Sequence, residues 1–217
     1  FNTSKIECMK LQRTLIFVTT LLLTLNSFAQ DLSFEEYNPK STLVVPGAIV
    51  KKAKFPFIDV HGHQYRMPEQ DLKPVITAMD TLNMGIMVNL SGRSGAQLQQ
   101  SLKNIADNYP NRFVVFANVN FDGVGTLNWI QKTVSQLEQD VKNGARGLKI
   151  YKSLGLRYKD VNGNRVKVDD PRLDPIWAKC GELGIPVLIH SADPKPFWDP
   201  IDNQNERWLE LKLHPGR

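Results

Sequence analysis

The stretch Phe57-Ile58-Asp59-Val60-His61-Gly62-His63 places two imidazoles two residues apart at the end of an apolar run. On a β-strand, successive side chains point to opposite faces, so Asp59, His61 and His63 share one face and Ile58 and Val60 the other. Gly62, lacking a Cβ, leaves room between the rings for a ligand to approach. A third imidazole, His190, ends another apolar run, Ile185-Pro186-Val187-Leu188-Ile189. Neutral imidazoles converging at strand ends suit a divalent cation that keeps a position open for water. His61, His63 and His190 are therefore the candidate ligands for Zn2+ or another divalent ion. The bland alternative is a group of strand-end histidines held by hydrogen bonds. Three histidines are only part of a catalytic site, which also needs a carboxylate for tight binding and to take a proton from water. His214, beside Pro215 and Gly216, lacks such a context and reads as surface.

Lys149 is a candidate catalytic residue. In Gly147-Leu148-Lys149-Ile150-Tyr151 the apolar Leu148 and Ile150 face helices, which turns Lys149 and Tyr151 to the other side. A lysine there must be paired, modified or substrate-facing, because a buried unpaired ammonium is costly. Three readings stay open: an ion pair with Asp59, contact with a substrate carboxylate, and carboxylation to bridge two metals. Tyr151 and Arg93 are candidate substrate-binding residues. Asp193, Lys152 and Lys195 read as loop residues, and Trp177, Trp198 and Trp208 are candidates to line a pocket, Trp177 with a competing place in the core.

The elements that must position these residues alternate. After the first strand, Leu72, Val75, Ile76, Met79 and Leu82 fall at helical spacing. Met84 to Leu90 reads as a second strand, Gln97 to Tyr109 as a helix, Phe113 to Val119 as a third strand, and Leu127 to Val141 as a helix with one apolar stripe. Gly147 to Tyr151 is a fourth strand. Asp174 to Leu183 is a helix that Asp174 should cap, with Pro175 opening it and Gly184 closing it. Ile185 to His190 is a fifth strand, and Glu206 to Leu213 starts another helix. Nearly continuous apolar strands alternating with helices imply a parallel sheet covered on both faces. The polar residues collect after the strands: His61 and His63, Asn89 and Ser91, Asn118 and Asn120, Lys149 and Tyr151, His190 and Asp193. That is the chemistry-bearing rim of a TIM-type (β/α)8 barrel. No Gly-x-Gly-x-x-Gly turn follows the first strand, so dinucleotide binding loses its main support. Such barrels take about 250 residues, and roughly 160 follow the leader, which predicts an N-terminal fragment of about five βα units.

The chain has 217 residues, 41% hydrophobic and 23% charged, an ordinary globular composition. Its net charge of +5 falls to +3 once Lys5, Lys10, Arg13 and Glu7 are set aside, which gives no nucleic-acid signature. Residues 9–29 read as a secretory signal peptide: basic Met9 to Arg13, apolar Thr14 to Leu25, small residues around Ala29. The apolar run of about 12 residues is short of the ~20 that span a bilayer, so no stable membrane anchor is expected. The mature protein is expected in the periplasm or secreted. Residues 1–8 read as upstream sequence, 30–54 as a leader and 55–217 as the domain. Cys8 and Cys180 are the only cysteines, so the mature chain has no internal disulfide, and Cys180 reads as a small buried hydrophobe.

Asp59-Val60-His61-Gly62-His63 resembles the first-strand Asp-x-His-x-His of the amidohydrolase superfamily, and Pro186 to His190 resembles its fifth-strand histidine. More narrowly, the pattern is similar to the branch that includes aminocarboxymuconate semialdehyde decarboxylase. The resemblance covers about Phe55 to Arg217. It implies one zinc or related ion held by His61, His63, His190 and a strand-eight Asp, assisted by a strand-six His; neither of the last two occurs here. Gly147 to Ile150 resembles the strand-four lysine that is carboxylated in binuclear branches, whereas the decarboxylase-like branch is typically mononuclear. The expected activity is metal-dependent hydrolysis of a C–N or C–O bond in a small molecule, with decarboxylation of an aromatic or unsaturated acid, or an inactive fragment, as alternatives. A small-molecule substrate is the expected partner, and a homo-oligomer is compatible with the sequence.

Overall fold

Strand β1 (Phe57–Gly62) is the edge of a run of parallel strands laid down in chain order. The computed structural model describes residues 33, 36–41, 43, 47, 50–191 and 193–214. Residues 1–29, read from the sequence as an upstream stretch and a signal peptide, lie outside the described residues together with Cys8, as does part of the segment read as a leader. Two units are described by themselves: residues 47–192, and the segments 1–46 and 193–217 taken together.

In the larger unit β1 pairs with β2 (Met84–Asn89), which pairs with β3 (Phe113–Val115). A second group holds β4 (Ala117–Asn118), β5 (Leu148–Ile150) and β6 (Val187–Ile189), all parallel. β3 and β4 are halves of the single third strand the sequence implies. The chain changes partners at Phe116, whose N–H donates to Asn89 O at 3.0 Å, while Ala117 N donates to Gly147 O at 2.8 Å. The switch needs Gly147, because a Cβ there would stand 2.4 Å from the Phe116 ring.

Helices α1 (Lys73–Leu82), α2 (Gly95–Asn108), α3 (Trp129–Asn143) and α4 (Asp174–Glu182) lie within two or three residues of their sequence-derived limits. Their apolar stripes meet the strands in one core, with Leu72, Met79, Leu98, Leu137, Leu148, Ile150 and Ile176 essentially water-free. Leu148 and Ile150 thus take the expected helix-facing side. Trp177 packs against the same core. Cys180 is buried within it, which pushes its thiol up to about 11 and keeps it protonated.

Two details depart from expectation. Asp174 is the first helical residue and not the cap. A 3-10 turn, Pro171–Leu173, runs directly into α4, and Asp170 caps that turn by accepting from Arg172 N at 3.0 Å. The chain therefore enters α4 already helical. The sheet is also not covered on both faces everywhere: Ile58 and Val60 on β1 are 55% and 61% exposed, and Ile189 on β6 is 42% exposed.

In the smaller unit Tyr37 stacks on Trp208 at 5.7 Å and donates its hydroxyl to Glu206 O at 2.7 Å. Asn205, buried, donates to the carbonyls of Pro196 and Pro200 at 2.9 Å and shapes the turn before helix α5 (Trp208–Leu213). Lys195 pairs with Asp199, and Trp198 is exposed. Among the described residues no helix is long and apolar enough to cross a membrane.

Asp140 on α3 is 1% exposed and accepts from Gly95 N, at the start of α2, and from Gln136 Nε2, both at 2.9 Å. It ties two helices together through an otherwise orphaned N–H. Asp140→Ala should lower unfolding free energy by about 1–3 kcal/mol in urea titrations, the cost of a buried unsatisfied donor; an unchanged midpoint would remove this role.

Candidate metal centre

The end of β1 brings His61 and His63 together, with ring centroids 5.2 Å apart and planes at 63°. His61 is exposed and His63 half-buried. Asp59 does not reach across to Lys149; its Oδ1 accepts from the His61 N–H at 2.9 Å and shapes the strand end.

Burial of the strand end is organised by Asn89, which is fully enclosed. Its Oδ1 accepts from Gln64 N at 2.9 Å and Ser91 N at 3.0 Å, and its Nδ2 donates to Gln64 O at 3.3 Å. The loop leaving β1 and the loop leaving β2 are thereby fastened to one side chain. Gly62 serves this closeness: a Cβ there would lie 2.7 Å from Met87 Cγ on the neighbouring strand.

His63 is held on every side. Its Nδ1 lies 2.7 Å from Ser91 Oγ, and Tyr65 and Tyr151 stack on its ring at 5.4 Å and 6.0 Å. Its pKa is held below the usual imidazole value, by burial first and then by the positive neighbours His61, Lys149 and His190. A neutral imidazole is the form that can bind a metal. His190 ends β6, its N–H donating to Ile150 O at 3.0 Å, within electrostatic reach of His63.

Tyr151 donates to Leu90 O at 3.0 Å and lies 2.8 Å from Ser91 Oγ. Arg93 lies within electrostatic reach of Tyr151, and its guanidinium donates to Tyr65 O at 3.2 Å, beside a small cleft of about 120 Å3 with Arg66, Glu69 and Gln97. The sequence marks Asn89 and Ser91 only as polar rim residues and does not single out Tyr65. The signal that was available is Asn89-x-Ser91 directly after an apolar strand, where buried polar groups must find partners.

Lys149 is 1% exposed, and among the described residues its Nζ has no hydrogen-bond partner. The ion pair with Asp59 is therefore not formed. The ammonium sits 5.9 Å from the Tyr151 ring, and desolvation lowers its pKa.

A family model described as Amidohydrolase matches residues 58–204, two thirds of the chain. The chain belongs to the amidohydrolase family. Among curated proteins and among solved structures no match is found. Amidohydrolases are metal-dependent hydrolases and decarboxylases that typically use divalent ions, and the family implies a TIM barrel, of which the α/β architecture with parallel strands is visible here. The imidazole pair fits two positions around such an ion, since His63, engaged at Nδ1, has Nε2 left to offer. Among the described residues no three His, Cys, Asp or Glu side chains stand close enough together to hold an ion by themselves.

The orphaned amine gives a stability test with a definite pH dependence. Lys149→Met keeps the volume and removes the amine, and should raise unfolding free energy by about 1–3 kcal/mol at neutral pH. The folded-state pKa lies below 10.5. Below the lowered folded value both states are protonated and the folded state bears the whole desolvation cost, which is relieved as pH rises from that value toward 10.5. Urea titrations between pH 7 and 10 should show the gain shrinking; a loss of stability at pH 7 would mean that the amine is compensated.

Proposed function

We propose that this protein is a metal-dependent hydrolase in which His61, His63 and His190 contribute to a site for Zn2+ or a related divalent ion. The observation that carries the reading is the His61–His63 pair at the carboxyl end of β1, inside the matched amidohydrolase region. His61, His63 and His190 would hold such an ion, which would supply Lewis acidity and an activated water for hydrolysis of an amide, ester or lactone. The chain's own residues hold the two imidazoles at the strand end, stack Tyr65 and Tyr151 on the His63 ring, and fasten the loops through Asn89.

Decarboxylation is a second reading, in line with the branch that includes aminocarboxymuconate semialdehyde decarboxylase. Its specific support is Lys149, a buried amine with no hydrogen-bond partner among the described residues, which would favour a substrate carrying a carboxylate. The exposed apolar side chains Ile58, Val60 and Ile189 on outer strands support a further proposal, that additional βα units complete the barrel in a longer parent and bring the remaining ligands. Export to the periplasm or medium, on the strength of residues 9–29, belongs to the same proposal.

Metal analysis of a longer parent that carries the remaining ligands should find about one equivalent of bound ion, lost on treatment with a chelator. In the full-length parent His61→Ala, His63→Ala and His190→Ala should each bring bound metal near zero; unchanged metal content in His61→Ala and His190→Ala would sink the reading. Carbon dioxide release from candidate acids separates lyase from hydrolase.

A further inference from the structure

Beside His63 three hydrogen bonds run in series, and their chemistry allows all three only in one direction. Tyr151 Oη lies 3.0 Å from Leu90 O, Ser91 Oγ lies 2.8 Å from Tyr151 Oη, and His63 Nδ1 lies 2.7 Å from Ser91 Oγ. A carbonyl oxygen only accepts, so the single phenolic proton goes to Leu90 O. Tyr151 Oη then meets Ser91 as an acceptor, which uses the one serine proton. Ser91 Oγ is left to accept, and the proton between it and the imidazole must belong to Nδ1.

We infer that Leu90 O, Tyr151 and Ser91 form a one-way hydrogen-bond chain that fixes His63 as the Nδ1–H tautomer and leaves the lone pair on Nε2. Running the chain backwards would strip Leu90 O of its phenolic donor and make one bond fewer. Leu90 O is itself steadied by Asn118 Nδ2, which donates to it at 3.0 Å. Ser91 is 3% exposed, so no bulk water competes for its proton. Burial raises the Tyr151 pKa, so its hydroxyl keeps its proton throughout the neutral range. With the ring stacked by Tyr65 and Tyr151, the tautomer decides which nitrogen faces the ligand.

Ser91 and Tyr151 are thus positioning residues, Tyr151 acting on the imidazole through a residue between them. That the free Nε2 serves an ion rests on the metal reading above; the tautomer itself does not. Partners of this kind on a ligating histidine typically change metal affinity 10–100-fold when removed.

Long-range proton–nitrogen spectra of 15N-histidine-labelled full chain, recorded above the imidazole titration range before and after addition of zinc, read the tautomer directly. His63 should carry its proton on Nδ1 before zinc is added. Tyr151→Phe keeps the stacked ring but frees the serine proton to turn toward His63, so the signal should move toward the Nε2–H form, with unchanged His61 and His190 resonances reporting an intact fold. Ser91→Ala should also loosen the preference, and both variants should bind zinc about 10–100-fold more weakly. An Nε2–H tautomer in the unaltered chain, or a tautomer indifferent to Tyr151→Phe, overturns the inference. If the tautomer behaves as stated but zinc perturbs no histidine, the chain of bonds stands and the metal reading fails.

Discussion

Asn89 sits at 0% exposure at the end of β2, and a buried amide must find partners or cost the fold a kilocalorie or more. It finds them in Gln64 and in Ser91, each the second residue of a different loop. That requirement fixes where the chain goes after His63 and where Ser91 points its hydroxyl. The histidine ring, the serine and Tyr151 then follow as consequences of one satisfied side chain. The parallel pairing of β1 with β2 brings Gly62 opposite Asn89, so the sheet register and the polar clamp select the same arrangement. Agreement between levels of this sort is what lets a sequence specify one structure.

Most of the scaffold was legible in the sequence because its signals are local. The 3.6-residue stripes of α1, α2 and α3 and the apolar runs of the strands mark elements whose type depends on little beyond their own periodicity. The two-residue alternation likewise put Leu148 and Ile150 in the core and Lys149 on the opposite side. Boundaries were less legible where the decision is made by distant residues. Phe116 divides the third strand because Asn89 and Gly147 offer different partners on its two sides, and neither lies nearby in sequence. Asp174 lost its capping position to Asp170, since the preceding turn was already helical.

At the site, residue types at strand ends announced the histidines, but their surroundings came from chain segments 28 to 60 residues apart. Ser91 bonding to His63 and Tyr151 could not be read from either local pattern. Lys149 was legible as a residue in need of an explanation; the structure narrows that explanation by leaving its amine unpaired, and excludes the pairing with Asp59.

Gly62 and Met87 also tie the histidine motif to a residue that carries no chemistry. A Cβ at position 62 would fall 2.7 Å from Met87 Cγ and 3.3 Å from Val88 O, so the glycine cannot be exchanged alone. A side chain at position 62 requires the Met87 side chain to move or to be shortened. The central position of the His61-Gly62-His63 triplet therefore drifts only in step with its neighbour on the next strand, and a packing residue sets the mutational path open to the histidine motif.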